Sequence, residues 1–235
     1  MLFLGINRIL IAAAVIPAVV LLVYVYRADR LERESHGMLL SLVVGGIFST
    51  FLAIVAEKVG GFLLGLLVPQ QTLLYYLLRY FVVVGGAEEG AKYVLLKRKT
   101  WDSPEFNCQF DGVLYAVFVS LGFALWENIS YVLQYGFGTA LIRAITAVPG
   151  HACFGVFMGV WYGLAKRHES AGNAANSRLC RRLAVICPIL LHGTYDFIAS
   201  VDVGHGVWTF VVFVLLLFFV SYRLVKRFSS QDTYI

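Results

Sequence analysis

Two adjacent glutamates, Glu88 and Glu89, and a lysine, Lys92, stand in the stretch VVVGGAEEGAKYVLL, inside an apolar run that could otherwise cross a membrane. Three more apolar runs hold groups of the same kind: Glu127 beside Asn128 in GFALWENISY, His151 in AVPGHACFG, and His192 with Asp196 in LLHGTYDFI. An ionisable side chain near the bilayer centre costs about 2.5–3.5 kcal/mol on insertion scales, so each marks a functional site by default. Helical spacing decides which can act together. Glu88 and Lys92 are i and i+4, Glu89 is three residues from Lys92, and His192 and Asp196 repeat the i, i+4 relation, as do Phe123 and Glu127. Two histidines with two or three carboxylates form a ligand set suited to zinc. The same groups suit metal-free hydrolysis, in which a glutamate in a dry site takes a proton from water and histidine or asparagine donates to the oxyanion. Neither H-E-x-x-H nor G-x-S-x-G occurs, so the residues alone do not choose between these mechanisms.

The elements that must position these groups are membrane helices. Of the 235 residues 60% are hydrophobic and 14% charged, against roughly 25% charged in soluble domains. Apolar runs predict an all-α, polytopic bundle of about seven spans at 5–26, 38–56, 73–96, 111–134, 141–165, 183–201 and 207–223. The reading is one integral membrane domain over 1–235, its first run a retained helix, with no soluble enzyme domain appended. The segment GGFLLGLLVPQQ (60–71) is too short to cross alone and reads as an interfacial or re-entrant element or an extension of its neighbour, with Gly60, Gly61 and Pro69 opposing one straight helix. Pro149 predicts a break or kink near His151. HESAGNAANSRLCRR reads as a flexible polar loop, and His36, His168 and His205 fall in connections without a catalytic role. Glycines in VVGG, SLGFA and CFGVFMGVWYG read as packing seams.

Charge fixes an orientation. Under these spans 14 of the 19 basic residues share one side, and Arg8, Lys58, Arg79, Lys92 and Arg143 are the exceptions. The positive-inside rule makes that side cytoplasmic, with the N-terminus outside and the C-terminus inside. The net charge of +5 therefore reports topology and not a nucleic-acid partner. Cys108, Cys153, Cys180 and Cys187 contain no C-x-x-C pair and no cluster spaced for zinc, and no disulfide framework is expected. Counted from the cytoplasmic ends at the helical rise, the acids and histidines lie at depths of about 12 to 24 Å, a loose match.

EEGAK (88–92), FALWEN (123–128), His151 and HGTYD (192–196) resemble the PrsW family of membrane proteases, relatives of the CAAX prenyl endopeptidases and bacteriocin-processing membrane proteins. The resemblance covers about residues 75–200. It implies a multi-pass protein of a bacterial or archaeal inner membrane that cleaves a membrane-anchored protein, an anti-sigma factor in envelope-stress signalling. Carried over, Glu88 is the base that activates water, Glu89 orients or shares its proton, and Glu127 fills a position where the prenyl proteases show histidine. His151 and His192 hold the oxyanion or a metal, zinc being the candidate with His151, His192 and Glu127 as ligands. Asp196 positions His192, while Lys92 and Asn128 support the site. Lys92 and Asp196 depart from the E-E-x-x-x-R and H-x-x-x-N pattern of CAAX processing. The rival is a proton- or cation-linked transporter or a stress sensor, since Glu, His and Asp across spans also describe a proton relay. A haem protein ligated by His151 and His192 is a third reading, tested by a Soret band.

Overall fold

The computed structural model describes residues 2–201 and 206–235, with side chains from residue 8 onward; His205 lies outside the described residues. The helices are α1 (Leu2–Ala28), α2 (His36–Leu67), α3 (Leu73–Leu77), α4 (Gly85–Thr100), α5 (Asp111–Tyr135), α6 (Phe137–Ile145), α7 (Ala147–Ser170), α8 (Ala174–Ser200) and α9 (Gly206–Ser230), with a π-helical segment, Leu78–Val84, joining α3 to α4. Six helical stretches among the described residues are long and apolar enough to cross a membrane. The run from α3 through the π segment to α4 is the seventh long stretch and carries Glu88, Glu89 and Lys92.

Helix α5 is the axis of the bundle. Every residue from Asp111 to Ala124 is buried, as expected for a helix that is apolar all round and packed on every side. Lipid offers no hydrophobic force between helices, so close backbone packing must hold them together. A Cβ on Gly46 of α2 would overlap the Val119 carbonyl, and one on Gly122 of α5 would overlap the Val43 carbonyl. Gly159 of α7 crosses α5 at Gly112 and Val113 in the same way. The glycines of VVGG, SLGFA and CFGVFMGVWYG are thus the seams their sequence suggests.

Three local expectations are refined. Segment 60–71 extends its neighbour: α2 continues through Gly60 and Gly61 to Leu67 and ends at Val68, before Pro69. Gly60 lies against Val83 of the π segment, and a chain in lipid keeps its backbone bonds inside the helix even where glycine weakens it. The flexible loop expected over HESAGNAANSRLCRR shrinks to Ala171–Asn173, because α7 and α8 run on into the polar residues. Asn173 caps α8 by accepting from Asn176 N, and Gly172 makes the turn at φ +72°. The break in span five falls at Thr146, between α6 and α7. Pro149 then sits in the first turn of α7, where its missing N–H costs nothing.

At the end carrying the basic residues, the C-terminal tail is clasped to the connection before α5. Gln109 N donates to Thr233 O and Ile235 N to Asn107 O, and Asp232 Oδ1 accepts from Phe110 N at 2.8 Å. Asp29, Glu34 and Asp111 are buried beside this clasp. Burial, reinforced by Asp232, pushes Asp29 up to about 6. Burial likewise pushes Glu34 up to about 7, with Glu105 adding to it and a Tyr115 hydrogen bond opposing it.

Candidate active site

The charged positions of four spans meet in one cluster. Lys92 Nζ donates to Glu89 Oε1 at 2.7 Å and to Glu88 Oε2 at 3.3 Å, and stands 3.2 Å from His151 Nδ1. Its other contact is the face of Phe123, 4.0 Å away. An ammonium only donates. His151 Nδ1 therefore accepts, and the ring proton lies on Nε2, which donates to Glu127 Oε2 at 2.8 Å. His192 Nδ1 meets Glu89 Oε1 at 2.8 Å, leaving Nε2 3.9 Å from Glu88 Oε2 and 3.5 Å from Asp196 Oδ2. Phe154 stacks on His192 with centroids 4.8 Å apart, and the two imidazoles meet edge to face at 5.4 Å.

Local backbone features set these positions. The π segment ends at Val84, one turn before Glu88, and such wide turns cluster at functional sites. Gly193, next to His192, lets α8 close onto Phe81 of that segment, where a Cβ would clash with both ring and backbone. Pro188 lies one turn before His192 and leaves the carbonyl one turn back without its helical donor. The helix break at Thr146 lets α7 start at the level of the cluster, only four residues before His151. These shifts reconcile depths that counting along straight helices leaves apart.

A cavity of about 280 Å³ reaches Glu88, Glu127, His151, His192 and Asp196, whereas Glu89 and Lys92 lie behind its wall. Its rim adds groups that the sequence did not single out as site residues, Glu57, Arg79, Arg143 and Tyr195. Arg143 donates to Glu127 Oε2 at 2.8 Å and to Asn128 Oδ1 at 2.9 Å. Asn128 is itself fully buried and donates to Ala14 O at 2.8 Å, tying α5 to α1. The only sequence signal for the rim was unexplained charge: Glu57 and Arg143 both stood beyond or near predicted span ends. From Glu88 to Lys97, α4 rises about 13 Å toward the basic end, so the mouth lies at the opposite end, where Arg79 and Ser200 line it.

Glu88, Glu89, His151 and His192 each offer a donor atom, all within 4.8 Å of one another and all buried. Two carboxylates and two imidazoles at that spacing fit a zinc-type ion. Glu127 stands outside this group, committed to Arg143 and His151 Nε2. Lys92 already holds three of the four donors, so a bound ion would take over partners of the ammonium.

Fold and site together define a polytopic membrane protein with a buried glutamate–histidine cluster at the wall of a cavity. Residues 34–223 match the family described as PrsW family intramembrane metalloprotease, and the chain belongs to that family. Curated relatives named Protease PrsW include that of Bacillus subtilis, 32% identical over 95% of this chain and 97% of its own length. That of Halalkalibacterium halodurans is 30% identical over 95% of this chain and 98% of its own. The protein of Geobacillus kaustophilus is 31% identical over 93% of this chain and 91% of its own. No solved structure matches the chain. The protein is thus a multi-pass intramembrane peptidase of the cell membrane, acting on a membrane protein.

Proposed function

We propose that Glu88 is the general base of peptide hydrolysis. The observation that carries this is its place on the cavity wall beside His151, His192, Glu127 and Asp196, while its neighbour Glu89 is sealed behind it. Water held against Glu88 gives up a proton to the carboxylate as its oxygen bonds the scissile carbonyl carbon. His192 Nε2 faces the cavity beside Glu88 and donates to the oxyanion, with its ring fixed by Glu89 at Nδ1 and by Phe154. When the C–N bond breaks, Glu88 returns the proton to the leaving amine. Glu127 and Arg143 hold His151, Asp196 flanks His192, and Lys92 balances the two glutamates. In a metal-bound form Glu88, Glu89, His151 and His192 would instead hold zinc, in place of these proton roles. The ion supplies Lewis acidity toward water and carbonyl when bound.

The substrate we assign is a membrane-anchored anti-sigma factor of an envelope-stress pathway, on the strength of the family resemblance. The basic residues orient the C-terminus toward the cytoplasm and the N-terminus outward, so the cavity opens outward and accepts chain on that face. The whole of 1–235 acts as one domain. A transport relay would need a polar path between both faces, whereas these groups gather within hydrogen-bond reach at one cavity. Purified Glu88→Gln and His192→Ala proteins, folded by thermal melt, are expected to lose cleavage of a membrane-anchored substrate; full cleavage by both would end the assignment. Metal analysis of the wild-type protein before and after chelation measures the ion directly.

A further inference from the structure

Two further cavities lie between α1 and α9, the second of them also walled by α7. At the basic end a cavity of about 280 Å³ is lined by Arg27, Arg30 and Lys226. An apolar slot of about 380 Å³ runs on from it along Val20, Leu21, Ala152, Val156 and Phe218. The two share Tyr24, Tyr222 and Val225 in their walls, so they adjoin. The Ser229 hydroxyl, bonded to Ala28 O, ties α1 to α9 beside the basic cavity.

The charges of that cavity are uncommitted. Lys166 and Arg181 lie over Trp101 and Arg33 lies over Tyr26, but Arg27, Arg30 and Lys226 make no ion pair, side-chain hydrogen bond or ring contact among the described residues. Three unpaired cations at a span end, opening into an apolar slot that points toward the membrane interior, match one kind of molecule. We infer that this space is a binding site for an anionic phospholipid, its phosphodiester held by Arg27, Arg30 and Lys226 and an acyl chain lying in the slot. Basic pockets between membrane helices recognise anionic headgroups in this manner, and each Lys or Arg near the surface adds to the attraction. The slot's α7 wall includes Pro149, Ala152 and Cys153, residues that bracket His151, so the lipid packs against the turn that presents this histidine to the site.

The test is lipid retention by the full chain, delipidated in detergent and then exposed to phosphatidylglycerol or phosphatidylcholine, with bound lipid counted by native mass spectrometry. Wild-type protein is expected to keep one phosphatidylglycerol under conditions that strip phosphatidylcholine, a preference of at least about 10-fold. Replacing Arg27, Arg30 and Lys226 together by glutamine removes the preference. The triple glutamine variant at Lys97, Arg178 and Arg182, which alters the basic surface between α4 and α8 by the same charge, keeps it. Val20→Trp, which fills the slot with the cations intact, lowers retention as well. Glycerol 3-phosphate fails to displace the lipid. Equal retention of the two lipids by the wild type, an undiminished preference in the first triple variant, an equal loss in the second, or displacement by glycerol 3-phosphate would each overturn the inference; the last would assign the cations to a soluble phosphate.

Discussion

Two clusters of buried acid occupy this protein and are neutralised in opposite ways. Within the bundle, Glu88, Glu89 and Glu127 are met by Lys92, Arg143 and two histidines, so the counter-charge belongs to the chain. At the basic end, Asp29, Asp111 and Asp232 enter no ion pair among the described residues, and both oxygens of Asp29 and one each of Asp111 and Asp232 are buried without a partner. Backbone N–H groups supply the hydrogen bonds of Asp111 and Asp232, and protons from solution must supply the rest. A catalytic centre cannot depend on that supply, because its carboxylate must be free to take a proton from water. A structural clasp can.

The largest test of this contrast is Glu88→Gln, which leaves the ion pair between Lys92 and Glu89 in place and is expected to lower the cleavage rate about 10²- to 10⁴-fold. A smaller loss would mean that the counter-charged cluster is only structural. Lys92→Met removes the single ammonium from two buried carboxylates and should cost about 3–5 kcal/mol of stability, read from unfolding in mild detergent. Gly159→Leu forces α7 away from α5 at Val113, and about 1–3 kcal/mol is expected, with lower thermal stability as the readout. The smallest effect concerns the clasp. Carboxylates ionise near 4 in the unfolded chain, whereas folding holds Asp29 near about 6 and Glu34 near about 7. Between these values the folded clasp binds more protons, so its contribution to stability is full below about pH 4 and is lost as pH rises through 6 to 7. Melting temperature measured from pH 4 to 8 should decline over that window, and Asp29→Asn should flatten the slope.

The sequence displayed these clusters unequally. Long apolar runs made the spans legible, and i, i+4 spacing joined Glu88 to Lys92 and His192 to Asp196 before any coordinates. Convergence across spans was less visible: counting residues put Glu88 and His151 at different depths, and the π segment and the start of α7 at Ala147 correct this. Glu57 went unremarked because α2 outlasts its predicted span by eleven residues, 57 to 67. The clasp left no signal at all. Its bonds join chain segments as far apart as Phe110 and Asp232, and no local period encodes such a pairing.

Helix α2 has one more consequence. Its lipid-facing side chains run from Leu40 to Leu67, about 40 Å along the axis, against about 30 Å of hydrocarbon. A rod longer than the slab that contains it must lean, and its lean follows the slab's thickness. Because Gly46 and Gly122 pin the rod to α5 without side chains between them, that crossing serves as a fulcrum. Glu57 sits on the longer arm beyond that crossing and lines the cavity.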